Sequence, residues 1–270
     1  MPTVEANGQT LYYEVHGDGV PLLCVMGLSA DVLTWALQVP AFSAAHRTIV
    51  FDNRDAGRSS LASGDYEIAD MARDTLALAD ALELESFHLL GYSMGGAIAQ
   101  EVACQAPGRV RTLTLAVTFP AVGAWGRTLG EVWGSRVRKI SHEEHIDELM
   151  LLNHSEEFFE NPEGVAFVRN MLLQHPHPQP PEAFVRQLAA CGRHDTCNRL
   201  GSLTMPVHVI GAEYDILVPI WKSREIAALI PGAKLTVLDG APHGACIERA
   251  EEFNAAVLDF IAAAREPAAA

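Results

Sequence analysis

Ser93 lies in a sequence setting that could make its hydroxyl a nucleophile. It stands at the centre of GYSMG, residues 91–95, between an apolar run that favours a strand and a small-residue run that favours a helix. Glycines in this G-x-S-x-G pattern allow a tight strand-to-helix turn, which strains the serine backbone and presents its side chain at the end of the strand. The helix N-terminus beneath it favours developing negative charge. Ser93 is therefore our candidate nucleophile.

A nucleophilic serine needs a base and an acid, and two downstream residues are candidates for these roles. Asp215 follows the apolar run at 206–211, and His243 follows the run at 233–239. The base takes the serine proton, and the acid holds the base in the productive tautomer. The chain order serine, aspartate, histidine accompanies the G-x-S-x-G pattern. The sequence thus predicts a triad of these residues, whereas Glu213 is expected to shape the neighbouring loop.

Two backbone N–H groups are candidates for an oxyanion hole. Such donors must point to the place where the oxygen charge develops. One is the N–H of Met94, directly after the nucleophile, and the other lies in the loop after the apolar run PLLCV, where we choose Leu28. The predicted chemistry is acyl transfer to water through an acyl-enzyme, which requires no metal and no organic cofactor.

The elements that must position these residues alternate between buried strands and helices. An Asn7-Gly8 turn predicts an N-terminal hairpin, and short apolar runs predict buried strands. Further strands are expected at 21–27, from 47, and at 87–91, 110–118, 206–211 and 233–240, with helices at 67–82, 97–106, about 220–230 and about 249–263. This alternation is typical of an α/β fold with a mostly parallel doubly wound sheet, to which the hairpin adds an antiparallel edge.

The alternation is interrupted in the middle of the chain. From about 120 to 200 the pattern is helical, with a break at HPHPQPP, residues 175–181, which cannot continue a helix. We interpret residues 120–202 as an inserted helical cap (lid), and residues 1–119 and 203–270 as the core. Ligands of such sheets bind beyond the carboxyl ends of the strands, so the cap covers the site. The expected pocket residues are Phe119, Trp125, Trp133, Met150, Met171 and Leu217.

The polar residues of the predicted cap are interpreted as solvent-facing. His142 and His145 share one helix face but have no supporting ligand nearby in sequence. The basic positions of the cap fall in a helical stretch that is typical of a solvated surface, namely Arg127, Arg136, Arg138 and Lys139. Because few cations are then left to bind a carboxylate, we expect a neutral, moderately apolar ligand.

Composition excludes several other classes of protein. The chain has 270 residues, 49% of them hydrophobic, and a formal net charge of −15. That charge repels nucleic-acid phosphates and anionic membranes, so neither partner is expected. The N-terminus does not resemble a secretory signal, and no apolar run approaches the about 20 residues of a membrane span. We expect a cytoplasmic protein, and the sequence is compatible with a homodimer.

The cysteines indicate neither a disulfide framework nor a metal site. They are five in number and irregularly spaced. Cys191 and Cys197 flank His194, but the paired short spacings of a zinc site are missing. The last six residues, REPAAA, are expected to form a loose tail.

Taken together, these motifs resemble the α/β-hydrolase superfamily, most of all its capped esterase, lactonase and carbon–carbon hydrolase branch. The resemblance covers about residues 8–265 and rests on VMGLSADVLTW, FDNRDAGRSS, GYSMGG, GAEYDILVP and APHGACIE. It implies an α/β-hydrolase fold with the nucleophile elbow at Ser93. Dehalogenases and epoxide hydrolases of this superfamily carry aspartate at that position, so the serine argues against both.

The sequence departs from the family pattern at two further positions. Met26 stands where a histidine commonly precedes the glycine of the oxyanion loop, and we expect the loop to survive with a more apolar wall. Asp55 replaces the first glycine of the usual Asp-x-Arg-Gly-x-Gly loop, and we expect only a local change there.

The resemblance implies a serine hydrolase acting on a small carboxylic ester or lactone, and perhydrolase activity, which can accompany a serine triad, stays open beside it. Two further alternatives also stay open. One is a carbon–carbon bond hydrolase of ring-cleavage products, although such enzymes usually carry an aromatic residue where this chain has Gly244. The other is a receptor that keeps the triad, binds a small molecule and recruits a partner.

Overall fold

A mixed eight-stranded sheet forms the centre of the protein. Its strands are β1 (Thr3–Ala6), β2 (Gln9–His16), β3 (Pro21–Val25), β4 (Arg47–Phe51), β5 (Phe87–Tyr92), β6 (Val110–Ala116), β7 (Val207–Ala212) and β8 (Lys234–Leu238). The spatial order is β1-β2-β4-β3-β5-β6-β7-β8. The structure is a computed structural model that describes residues 2–264, so the REPAAA tail lies outside the described residues.

Strand directions confirm the predicted α/β architecture. β1 pairs with β2, and β2 with β4, in antiparallel fashion, whereas β4, β3, β5, β6, β7 and β8 are parallel neighbours. The Asn7-Gly8 turn closes the hairpin between Ala6 and Gln9, and both turn residues have the positive φ that this short turn requires. All residues of β5 and β7 are buried, as expected for central parallel strands.

Helices cover both faces of the sheet. They are α1 (Val39–Ser43), α2 (Ile68–Ala81), α3 (Met94–Gln105), α4 (Gly123–Val137), α5 (His142–Asn153), α6 (Glu156–Phe159), α7 (Pro162–Leu173), α8 (Pro181–Arg193), α9 (Trp221–Leu229), α10 (Ala245–Glu248) and α11 (Ala250–Ala263). Residues of α2, α3 and α9 form one apolar core with the sheet, and residues of α1 and α11 form another. Along β3, Leu23 and Val25 join the first core while Leu22 and Cys24 join the second, because strand side chains alternate.

Five α-helices, α4 to α8, separate β6 from β7 in the chain. Trp133, Val137 and Phe184 form a small apolar cluster of their own within this segment. The predicted break at 175–181 lies between the end of α7 and the start of α8, where Pro181 occupies the first turn. No helix described between residues 2 and 264 is long and apolar enough to cross a membrane.

Asp55 connects the helical segment to the core, so our expectation of a purely local change was wrong. Its side chain is fully buried, and a buried carboxylate requires charged or hydrogen-bonding partners. Arg186 of α8 provides them, with Nε and Nη2 donating to the two carboxylate oxygens at 2.8 and 2.7 Å. The Tyr66 hydroxyl donates a further bond at 2.8 Å. The substitution for glycine therefore creates an ion pair between the core and α8.

The interpretation of His142 and His145 as a solvated pair is wrong for the second residue. His142 is exposed, but the His145 ring is buried against Phe184 and Trp133, with centroids 4.9 and 6.4 Å away. Burial lowers the pKa of His145, so its ring is neutral near pH 7. The apolar partners come from two other helices of the segment, and the local spacing gave no sign of them.

Candidate active site

Ser93 occupies a strained turn between β5 and α3. Its φ and ψ are 55° and −121°, a conformation that non-glycine residues adopt only when the surrounding structure enforces it. A Cβ on Gly95 would lie 2.0 Å from the carbonyl oxygen of Val25, and one on Gly91 would lie 2.3 Å from the carbonyl oxygen of Gly95. The two glycines are therefore required by close backbone contacts, and they hold Ser93 at the carboxyl end of the central strand.

The structure brings Ser93, His243 and Asp215 into one hydrogen-bonded chain. His243 Nε2 lies 3.0 Å from Ser93 Oγ, and His243 Nδ1 lies 2.7 Å from Asp215 Oδ2. A carboxylate only accepts, so Nδ1 carries the proton and Nε2 is free to accept from the serine hydroxyl. Asp215 and His243 are both buried. Such an arrangement can remove the serine proton as the oxygen attacks a carbonyl.

Backbone and side-chain contacts hold the aspartate and the histidine in place. The second carboxylate oxygen of Asp215 accepts from the N–H groups of Leu217 and Val218, at 2.9 and 2.7 Å. The Tyr92 hydroxyl donates to the carbonyl oxygen of His243, and burial raises the pKa of Tyr92, which keeps the hydroxyl protonated as a donor. These contacts hold the Asp215 side chain and the His243 backbone in place.

Glu213 lies outside this chain of contacts. Its carboxylate accepts a hydrogen bond from the backbone N–H of Gly240 at 2.9 Å. Gly240 belongs to the turn that leads from β8 towards His243. Glu213 therefore shapes the loop, in agreement with the sequence interpretation.

The two oxyanion-hole candidates lie beside Ser93. Met94 is the first residue of α3, and Leu28 follows Gly27 in the loop after β3. A Cβ on Gly27 would come within 3.0 Å of Ser93 Cβ, so this loop touches the serine directly. The family histidine is replaced by Met26, whose carbonyl oxygen accepts from Asn53 Nδ2 at 2.8 Å. The Asn53 side chain thus supports the loop after β3 through this hydrogen bond.

A cavity of about 550 Å³ opens over Ser93 and His243. All six predicted pocket residues line it: Phe119, Trp125, Trp133, Met150, Met171 and Leu217. Phe119, Trp133 and Met150 are buried, whereas Trp125 and Met171 are more than half exposed. Further exposed apolar side chains line the same cavity, namely Leu33, Leu37, Phe167, Trp221 and Ile247. The cavity therefore combines the polar side chains of Ser93 and His243 with an apolar, exposed rim.

Sequence reasoning missed Lys222, which lines the cavity although it belongs to α9 of the core. It is the one lysine or arginine among the described residues that line the cavity. Its Nζ lies 2.9 Å from Glu225 Oε2 and 4.2 Å from the centre of the Trp221 ring. Both partners compensate its charge. The i, i+3 spacing of Lys222 and Glu225 was visible in the sequence, but the contact with the cavity was not.

The described residues do not support a metal site. Between residues 2 and 264 no group of three or more histidine, cysteine, aspartate or glutamate side chains could hold an ion. Burial raises the pKa of the Cys191 thiol to about 12 and lowers the pKa of His194 to about 4. Cys191 is therefore a protonated thiol and His194 a neutral ring.

Comparison with known proteins places the chain in a family. The family model described as alpha/beta hydrolase fold matches residues 20–250, and the chain belongs to this family. It is 31% identical to a protein of Variovorax paradoxus provisionally named carbamate hydrolase RutD, over 95% of this chain and 98% of that one.

Solved structures give the same assignment. A thermophilic esterase from Thermogutta terrifontis aligns with a TM-score of 0.87 and 26% identity, covering 98% of this chain and 100% of that one. The enol-lactonase of Burkholderia xenovorans aligns with a TM-score of 0.86 and 25% identity, covering 97% and 100%. The protein is a hydrolase of the α/β-hydrolase fold.

Proposed function

We propose that this hydrolase cleaves a small, neutral carboxylic ester or lactone with a Ser93–His243–Asp215 triad. The observation that carries the proposal is the hydrogen-bonded chain from Ser93 Oγ through the His243 ring to Asp215, which lies at the base of a cavity. A serine without a base would be a poor nucleophile at neutral pH.

Acylation begins when Ser93 Oγ attacks the substrate carbonyl while His243 Nε2 accepts its proton. The N–H groups of Met94 and Leu28 stabilise the oxyanion, and losing one such donor costs roughly 2.7–4 kcal/mol of barrier. The tetrahedral intermediate collapses, His243 returns the proton to the leaving alcohol oxygen, and Ser93 is left acylated. Asp215 stays ionised throughout and stabilises the imidazolium.

Deacylation repeats these steps with water as the nucleophile. His243 takes a proton from the water, the resulting oxygen attacks the acyl carbonyl, and the proton returns to Ser93 Oγ as the acid departs. With a lactone the alcohol stays attached to the acyl group, so one ring-opened hydroxy acid is released.

The character of the cavity supports a neutral substrate. The apolar entrance favours burial of hydrocarbon, and Lys222, the only lysine or arginine among the described lining residues, is already paired with Glu225. A substrate carboxylate would have to compete with that glutamate. The likeness to an esterase and an enol-lactonase agrees with an acyl substrate.

A carbamate is the second candidate substrate. The specific observation is the 31% identity with the relative provisionally named carbamate hydrolase, over nearly the whole chain. A carbamate carbonyl can be attacked by the same serine, although the attached nitrogen makes that carbonyl less electrophilic than that of an ester. We therefore include carbamates in the test below.

The other two alternatives are less well supported. Ring-cleavage hydrolases usually carry an aromatic residue at the position of Gly244, but here a Cβ would lie 2.8 Å from the carbonyl oxygen of Asn153. The fold around Gly244 leaves no space for a side chain. A receptor would retain a single adduct and show no repeated turnover, so the two classes separate in a kinetic experiment.

The test is a rate series on p-nitrophenyl esters of increasing acyl length, a set of lactones and phenyl carbamate, with Ser93→Ala in parallel. We expect repeated, Ser93-dependent turnover of esters or lactones and little of the carbamate. Faster carbamate turnover would transfer the assignment to the second candidate. Equal rates for the wild-type and Ser93→Ala proteins would rule out the proposed mechanism.

A further inference from the structure

A fully buried glutamine of α8 joins the helical segment to the loop that carries Leu28. Gln187 Oε1 accepts from the backbone N–H of Ser29 at 3.0 Å, and Gln187 Nε2 donates to the carbonyl oxygen of Arg54 at 2.8 Å. Its side chain has no solvent exposure. One amide group therefore bridges the loops after β3 and β4.

A neighbouring glutamine braces this bridge. Gln179 Nε2 donates to Gln187 Oε1 at 2.9 Å and to the carbonyl oxygen of Asp55 at 2.7 Å. Arg186, adjacent to Gln187 on α8, binds the Asp55 carboxylate. The Gln187 amide thus accepts two hydrogen bonds through Oε1 and donates one through Nε2, and these contacts define its orientation. The Arg186–Asp55 ion pair anchors α8 beside it.

The bonded N–H group belongs to the peptide that follows Leu28. Ser29 has a φ of 63°, in the left-handed region that a non-glycine residue occupies only when its surroundings enforce it. Fixing the N–H direction of the Leu28–Ser29 peptide fixes one of the two peptide planes that flank Leu28. Without that acceptor the Leu28–Ser29 peptide is free to rotate, and the adjoining Gly27–Leu28 peptide, which carries the proposed donor N–H, loses one of its restraints.

We propose that Gln187 is a positioning residue that holds the Leu28 N–H in the orientation of an oxyanion donor. The helical segment then has a direct part in the chemistry, because α8 supplies the acceptor that keeps the donor loop formed. This inference rests on the proposed function, in which Leu28 stabilises the oxyanion.

The test compares Gln187→Met with Gln100→Met. Gln100 is a matched control, since it is also fully buried and also donates to a backbone carbonyl, that of Phe119, whereas its oxygen accepts from Thr196 and not from the loop after β3. Hydrogen–deuterium exchange is measured on peptides covering residues 27–31, and kcat and KM are measured on the best substrate of the panel.

We expect Gln187→Met to raise exchange at 27–31 and to lower kcat by roughly 10- to 100-fold with little change in KM, less than the roughly 10²–10³-fold lost with a whole donor. Gln100→Met should do neither. Gln187→Glu keeps an acceptor oxygen and should recover part of kcat. If Gln187→Met does not fold, Gln179→Met removes only the brace and should raise exchange in the same peptides.

Unchanged hydrogen–deuterium exchange at residues 27–31 in both Gln187→Met and Gln179→Met would overturn the proposal. Raised exchange in Gln187→Met with an unchanged kcat would overturn it as well. A wild-type protein that turns over nothing in the panel would instead refute the proposed function. The exchange measurement alone would then decide whether Gln187 fixes the loop.

Discussion

At the scale of single residues, the separation of roles between two neighbouring acids is the most informative feature. Asp215 and Glu213 both follow β7, yet one binds the His243 ring and the other binds a backbone N–H in the next turn. Both acids fit the chain order of the motif, and from the sequence we choose Asp215 because Glu213, two residues earlier, is expected to shape the loop. The geometry supports the same choice, since the Asp215 carboxylate bonds the His243 ring whereas the Glu213 carboxylate bonds the backbone of Gly240.

We expect Asp215→Asn to lower kcat by about 10³–10⁴-fold, because an amide favours the wrong tautomer of the histidine. Glu213→Gln, the matched control, should change kcat by less than about tenfold, since it weakens only one loop contact. Steady-state rates of the two purified proteins, with melting curves to check folding, measure both effects. The opposite ranking would assign the acid to Glu213.

At the scale of elements, the sequence predicted a helical pattern for residues 120–200 but neither the bounds of its helices nor their contacts with the site. The strand-to-helix order, the hairpin turn and the break at 175–181 follow from local patterns of turn residues and hydrophobicity. The contacts of Asp55 with Arg186, of Gln187 with Ser29 and of His145 with Phe184 join distant parts of the chain. Local periodicity carries no information about such pairs, which is why they were missed.

The exposed face of α7 should contribute to binding of long acyl groups. Each buried methylene is worth about 0.8 kcal/mol, so kcat/KM should rise about fourfold per methylene until the cavity is filled. Phe167 is 71% exposed and lines the cavity, whereas Leu151 is 60% exposed and does not. Phe167→Ser should therefore flatten the dependence on chain length and leave acetate turnover unchanged, while Leu151→Ser should change neither. Identical length profiles for the two variants would exclude α7 from the binding site.

The ion pair between α8 and the core should matter for stability far more than a surface pair on the same helix. Arg186→Gln leaves the buried Asp55 carboxylate with fewer donors and should cost about 2 kcal/mol, less than for a fully buried pair because Tyr66 still donates. Arg138 and Glu182 form an exposed pair, so Arg138→Gln should destabilise the protein much less than Arg186→Gln does. Urea unfolding compares the two, and equal losses would contradict the assigned role of Asp55.

At the scale of the whole molecule, the fold was predictable because several local signals agreed. Buried strands, the serine turn and the late aspartate and histidine all indicated one architecture, and the sheet order confirms it. The limits of the helical segment, its role as a cap and a homodimeric state remain predictions. Substrate identity was not predictable, because the cavity wall combines side chains from several elements of both halves of the chain.

Acid should destabilise the protein between about pH 6.5 and pH 4. Burial lowers the pKa of both His194 and His208 to about 4 from 6.5, so in this range the unfolded chain binds protons that the folded chain excludes. The neutral rings make their full contribution to the free energy of unfolding above pH 6.5. This contribution decreases as the pH falls, by up to roughly 3 kcal/mol for each histidine. Urea unfolding at pH 7 and pH 4.5 measures the loss.

His208→Gln is the variant that tests the source of this acid sensitivity. It removes one of the two titrating rings and should reduce the difference in unfolding free energy between the two pH values. His177→Gln is the control, because His177 is exposed. A pH dependence that is the same in the wild-type protein and both variants would show that His208 is not responsible.

The most direct measurement of the central claim is covalent labelling with diethyl p-nitrophenyl phosphate, followed by mass spectrometry of peptides. This reagent phosphorylates a serine that an adjacent base has activated, with release of one p-nitrophenol per site. We predict a single adduct on Ser93 in the wild-type protein, and no adduct in the same time with His243→Ala. Labelling at another residue, or equal labelling of Ser93 with and without His243, would contradict the account.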